Sequence, residues 1–193
     1  KVKPAICGFL AQRGLGLSEE KTRIVAIDQG FDFLGQNIRK YNGKLLITPS
    51  KGAIKGLLAK AKQIIKDHRG ASPETMIYKL NPVIRGWTNY HRHVCASESF
   101  SYVDQIVYRF IDNWIKRRHK DKGKRWRYKK FFKPHRNHQS VFFTKTRDRD
   151  GKKADLFLRK ASWAIIARHV KIRANANPFD ARQKDYFSKR HLK

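Results

Sequence analysis

Phe100, Val103, Ile106, Val107, Phe110, Ile111, Trp114 and Ile115 recur at intervals of three and four residues, then give way without a break to Lys116-Arg117-Arg118. Side chains so spaced share one stripe of an α-helix. A stripe this long and bulky must be covered by other apolar faces, while its cationic end must meet water or anions. The fold therefore has to bury one side of a long helix beside a block of positive charge. That block is dense: of the 21 residues from Lys116 to Arg136, 12 are Lys or Arg, one is acidic and four are aromatic.

A second helix is predicted over 51–69, with Ser50 as its cap and Gly70 as its stop. Ile54, Leu57, Leu58, Ala61, Ile64 and Ile65 form its apolar stripe. At about 100° per residue, Lys51, Lys55, Lys62, Lys66 and Arg69 fall within an arc of about 60° beside that stripe. Asp67 is the single acid there. Solvated charged faces usually mix signs, so this face reads as anion-binding. Ser72-Pro73-Glu74 signals a further helix start. Asn81-Pro82 reads as another cap and start, so 73–95 is predicted as two helices or one kinked helix. Ser97 or Ser99 opens the helix that carries the 100–115 stripe. Residues 50–118 thus predict an antiparallel helical bundle with basic edges.

Ahead of it, Val2, Ala5, Ile6, Phe9 and Leu10 place a helix at 2–13, and the apolar run at 22–28 predicts a strand. Residues 30–41 begin with alternation, and Asn42-Gly43 marks a hairpin turn into a partner strand at 44–48. Beyond 119 the chain reads as irregular and very basic, with a hairpin at 140–158 around Asp150-Gly151. The fold class is α+β, mainly α. It divides into 1–48 (helix and small sheet), 49–119 (helical domain) and 120–193 (basic region).

The 45 cations against 15 anions leave a net charge of +30, while 40% apolar content supports a folded core. Self-repulsion on that scale calls for a polyanion. No apolar run approaches the roughly 20 residues of a membrane span, and the start carries no signal-peptide pattern, so the expected polyanion is nucleic acid rather than membrane. Lys1 at the start suggests a fragment or processed piece. Cys7 and Cys95 form neither a zinc signature nor a disulfide framework and read as packed core thiols of a reducing compartment.

Lys124, Arg125, Trp126, Arg127, Tyr128, Lys129, Lys130 and Lys133 combine cations for phosphates with rings for unpaired bases. The competing reading makes the rings, with Phe131 and Phe132, the core of a small module. Arg85, Arg92, Arg117 and Arg118 are the expected bidentate phosphate contacts, and Trp87 and Tyr90 the expected packing residues. Catalytic candidates are absent. Asp148 and Asp150 read as turn chemistry rather than a metal site, His91 and His93 do not share a helix face, and His135 and His138 lack further ligands. No catalytic, metal or cofactor site is expected in this chain.

The segments 15–24 (LGLSEEKTRI), 30–51 (GFDFLGQNIRKYNGKLLITPSK), 80–94 (LNPVIRGWTNYHRHV), 100–119 (FSYVDQIVYRFIDNWIKRRH) and 168–190 together resemble group II intron-encoded reverse transcriptase/maturases. The resemblance implies that 1–48 is the end of the polymerase palm, with Gly30, Phe31, Phe33, Leu34 and Gly35 as its primer grip. It implies that 50–118 is the thumb, or maturase-specific domain, which binds intron RNA, and that 119–193 contacts target DNA. The family's catalytic aspartates, which hold Mg²⁺ in the parent enzyme, lie upstream of residue 2, so this chain alone is not expected to polymerise DNA. The family's Cys/His-rich endonuclease module has no counterpart here, and His91 stands where a Tyr is expected. Two alternatives stay open: a subunit completing a split reverse transcriptase with a separate palm chain, and a general basic RNA-binding architectural protein. A cytoplasmic, nucleoid-associated bacterial location is expected.

Overall fold

The computed structural model describes residues 2–147, 150–167, 172–173 and 175–189. Its central element is the predicted long helix, α4 (Ser97–Arg118), which buries Phe100, Val103, Val107, Ile111, Trp114 and Ile115. Two preceding helices supply the opposing faces. From α2 (Lys51–Asp67) come Leu57, Ala61 and Ile65, and from α3 (Pro73–His91) come Met76, Ile77, Leu80 and Ile84. All belong to one continuous cluster. Each of the large side chains among them contributes roughly 1.5–3 kcal/mol through removal from water, and Ala61 less. Ser50 and Ser72 cap α2 and α3 as predicted, their hydroxyls accepting from the amides of Ala53 and Thr75.

Two local signals resolve differently from the sequence reading. Helix α3 runs unbroken through Pro82, and Asn81 caps nothing. Its amide instead donates to the Phe157 carbonyl (3.0 Å) and accepts from the Arg159 amide (2.7 Å). A residue that looked like a helix start serves as a tertiary clamp. Helix α4 starts at Ser97 behind Ala96, which offers no side-chain cap.

The first sheet has the order β1-β2-β3, built from β1 (Phe31–Phe33), β2 (Gln36–Tyr41) and β3 (Lys44–Pro49). Asn42 (φ 44°) and Gly43 (φ 79°) form the predicted turn. A second turn of the same hand, Leu34 (φ 48°) and Gly35 (φ 74°), joins β1 to β2. The strand expected at 22–28 does not form. The segment is coil and turn, Ile24 is 87% exposed, and β2 reaches it through the Lys40 amide on the Ile27 carbonyl and the Arg39 side chain on the Asp28 carbonyl. β1 already pairs with β2 at Ile38, and Gly30 turns the chain away at φ 75°. Helix α1 (Val2–Ala11) forms, but none of its residues is fully buried; Leu10 is half-buried, Arg13 covers the Phe9 ring, and Cys7 is exposed rather than packed. Cys95 is half-buried.

The basic C-terminal region is more ordered than predicted. Helix α5 (Lys124–Phe131) leads into β4 (Phe132–His135), which pairs with β5 (His138–Arg147), and β5 pairs in turn with β6 (Lys153–Phe157). The β5–β6 pair is the predicted hairpin, with Arg147 opposite Lys153. Phe131, Phe132, Phe142, Leu158 and Ala161 extend the helical core across the expected boundary near 120. Asp104 of α4 locks this sheet in place. Its carboxylate accepts from the amides of Ala161 (2.6 Å) and Ser162 (3.1 Å) and from the Ser162 hydroxyl (2.6 Å). Helix α6 (Lys184–Ser188) closes the described chain. The 168–190 motif falls partly outside the described residues, as does Asp148. No described helix is long and apolar enough to cross a membrane.

Candidate nucleic-acid interface

Where α2 ends, its last turn faces the last turn of α4. The Trp114 indole of α4 donates to the Arg69 carbonyl (3.0 Å), and Arg118 donates to the Ala71 carbonyl (2.6 Å) with its guanidinium 5.4 Å from the Trp114 ring centre. These bonds tie the chain just beyond α2 to the last turns of α4 and fix the two ends side by side. Between them lies a groove of about 600 Å³. Ile65, Phe110 and Trp114 form its floor; Lys62, Lys66, Arg69, Arg117 and Arg118 stand around it. The apolar floor comes from the core stripes and the rim from the charged arcs beside them. Both follow from helix periodicity once the two helices meet.

None of these five cations has a carboxylate partner among the described residues. Nearby charge is taken up elsewhere: Asp67 accepts from Gln63, and Lys116 pairs with Asp112 at 2.7 Å. A concave rim of five uncompensated cations raises the local potential and draws phosphates. Arg118 is the most constrained, since one of its donors is already used on Ala71.

Residues 54–132 match the family described as the group II intron maturase-specific domain. The chain carries a maturase-specific domain. The match contains α2 beyond its first turn, all of α3 and α4, and α5, and so contains the whole groove. No curated protein sequence matches the chain.

In this maturase-specific domain the predicted residues separate into groups. Lys62, Lys66, Arg69, Arg117 and Arg118 converge on the groove. Lys51 and Lys55 are exposed on the first half of α2, ahead of the groove. Arg92 caps α3, its carbonyl accepting from the Ala167 amide. Arg85 stands on another part of α3, where its charge helps lower the pKa of Arg159.

On α5 the rings are half committed to packing. Trp126 is 37% exposed, meets His119 and Phe131 edge-on, and has the Lys130 ammonium 4.7 Å from its ring centre. Tyr128 stacks on Phe132. Phe131 and Phe132 are core, which the packing alternative anticipated. Burial first, then Lys130, Arg118, Arg127 and Lys122, push the His119 pKa below its ordinary value, so the imidazole adds no charge to this already cationic cluster. Lys124, Arg125, Lys129 and Lys130 are exposed, and Arg127 is bonded to the Lys122 carbonyl. Lys133 is paired with Asp155.

The segment that resembles a primer grip forms the β1–β2 turn, with Phe31, Phe33 and Leu34 exposed. The turn is pinned to the maturase-specific domain. The Tyr90 hydroxyl donates to the Leu34 carbonyl (2.7 Å) and the Ser50 amide to the Gly35 carbonyl (2.9 Å). Tyr90 is thus a tether, not the bundle-packing residue the sequence suggested; Trp87 does pack, edge-on to Phe100. His91 lies beneath the turn, 1% exposed and against Trp87 and Tyr90. Burial, and then the charge of His93, lower its pKa to about 4. Periodicity gave no sign of this role, because a histidine reads as polar whether it is buried or not.

No cluster of three or more potential metal ligands occurs among the described residues. His138 Nδ1 faces the Lys160 ammonium at 3.2 Å, so it accepts a hydrogen bond as a neutral ring. His135 stacks on Phe157.

Proposed function

We propose that this chain binds structured group II intron RNA through the groove between α2 and α4, and by that binding assists splicing of the intron. The observation that carries the proposal is the set of five cations without carboxylate partners, held by two helix ends around an apolar floor, inside the maturase-specific domain. A folded RNA presents phosphates from several helices together. A rigid cationic concavity binds that compact array more tightly than an open chain, and so shifts the RNA toward its compact form. The apolar floor suits the sugar or base face of an unpaired nucleotide, which duplex RNA does not offer. On this reading Lys51 and Lys55 extend the track along α2, while α5 and the β4–β6 sheet carry the contact with target DNA during intron mobility. Polymerisation with Mg²⁺ would require catalytic aspartates from elsewhere in a longer polypeptide or from a separate palm chain.

The test compares binding of intron RNA and of scrambled RNA of equal length across a salt series. The variant K62Q/K66Q/R117Q removes three phosphate contacts and leaves Arg118 on Ala71. At about 0.7–0.9 per contact, the slope of log affinity against log salt falls by about 2–3, and affinity at 0.15 M salt falls roughly 100-fold. Removing equal charge at Lys3, Lys21 and Lys44 has a much smaller effect. Equal affinity of the native chain for intron and scrambled RNA refutes the maturase reading and leaves a general basic RNA binder.

A further inference from the structure

Away from the groove, Arg159 lies within electrostatic reach of two arginines from other elements, Arg85 and Arg136. Arg85 lies on α3, roughly 18 Å along that helix from its first residue, Pro73. Arg159 follows β6, and its amide is bonded to Asn81, one helical turn before Arg85. Arg136 sits in the β4–β5 turn at φ 51°, its guanidinium 4.8 Å from the centre of the Trp163 ring. None of the three has a carboxylate partner among the described residues. The Arg159 Nε is shielded from solvent and has no hydrogen-bond acceptor. Asp104 is spent on the amides of Ala161 and Ser162 and the Ser162 hydroxyl. Burial, then the charges of Arg85 and Arg136, lower the Arg159 pKa, so the cluster is electrostatically costly as it stands. A buried donor left unpaired costs about 1–3 kcal/mol. The two clamps that hold the segment, Asn81 and Asp104, keep that donor in place.

We infer that Arg85, Arg136 and Arg159 form an anion seat for one phosphate, filled by a backbone phosphate of the bound RNA. The inference deepens the RNA-binding reading and rests on it for the source of the phosphate. Guanidinium suits this role: it stays charged, and its planar fork grips phosphate oxygens in pairs. A phosphate gripped by the guanidinium groups would cancel the repulsion among the three charges. The seat and the groove lie at different positions along the helical domain, so one RNA engaging both gains by effective concentration, not by contact strength alone.

The experiment follows the sheltered Arg159 Nε–H signal by NMR in the full chain, assigned with R159K, during titration with inorganic phosphate and then with intron RNA. The expected result is a shift of that signal with both. In parallel, R85Q/R136Q, which alters only exposed side chains and leaves the clamps intact, lowers the salt slope for RNA by about 0.8. It weakens affinity roughly fivefold at 0.15 M salt. A shift with phosphate but none with RNA, and an unchanged slope, overturns the RNA source. No shift with phosphate overturns the seat itself. If the native chain binds no RNA, the function proposed above fails, and the phosphate titration still decides the seat.

Discussion

Acidification should destabilise this protein through His91, by an amount the structure sets. The ring is 1% exposed, and burial together with His93 lowers its pKa from 6.5 to about 4. Between those values the unfolded chain holds a proton that the folded chain does not. Stability therefore rises with pH through that window and levels off above about pH 7. Integrating the two titrations gives a loss of about 2 kcal/mol on going from pH 7.5 to 5, and about 3 kcal/mol by pH 4. His119 and His138 also have lowered pKa values and steepen the same limb, so the comparison must isolate His91. His91→Leu removes the proton site and a buried Nδ1 that has no partner. Urea unfolding of both proteins at a series of pH values gives the difference curve. The variant should gain about 2 kcal/mol relative to the native chain as pH falls from 7.5 to 5. Parallel curves over that range would show that His91 is protonated in the folded state and that the burial argument is wrong.

Two further outcomes follow from single contacts. Asp104→Ala leaves the buried Ala161 amide and the Ser162 amide without their acceptor. It should cost about 3 kcal/mol in denaturant unfolding, with faster hydrogen exchange at those two amides. Gly30→Ala places a Cβ 2.9 Å from Arg39 Cβ at φ +75°; exchange protection of residues 31–41 should fall while the amides of α3 and α4 keep theirs.

The helices of the maturase-specific domain were legible because their apolar positions repeat with the helical period and Ser50, Ser72 and Pro73 mark two of their starts; the stop expected at Gly70 came earlier, with α2 ending at Asp67 and His68 as its cap. The hairpin turn at Asn42-Gly43 was legible because those residue types tolerate positive φ. The C-terminal sheet was hidden. β4 is short, contains Pro134 and is flanked by cations, so alternation barely registers, and its stability comes from Phe132 and Phe142 entering a core built mainly by distant helices. The segment 22–28 failed in the opposite way: it has strand-forming composition, but it meets β2 through a single backbone bond, from Lys40 to Ile27, and forms no ladder.

By itself, then, the sequence determined which faces of each helix are apolar and which are cationic, since that depends only on spacing along one element. It also determined the excess of positive charge that makes a polyanion the favoured partner, since that depends only on composition. Tertiary structure decided which cations meet. Lys62, Lys66 and Arg69 share a groove with Arg117 and Arg118 because Trp114 and Arg118 bond the chain just beyond α2. Arg85 parts from them and lies near Arg159 because Asn81, one turn before it, bonds the end of β6 at Phe157 and the Arg159 amide. Contacts between residues tens of positions apart are set by how whole faces pack, and no local pattern of residues encodes them.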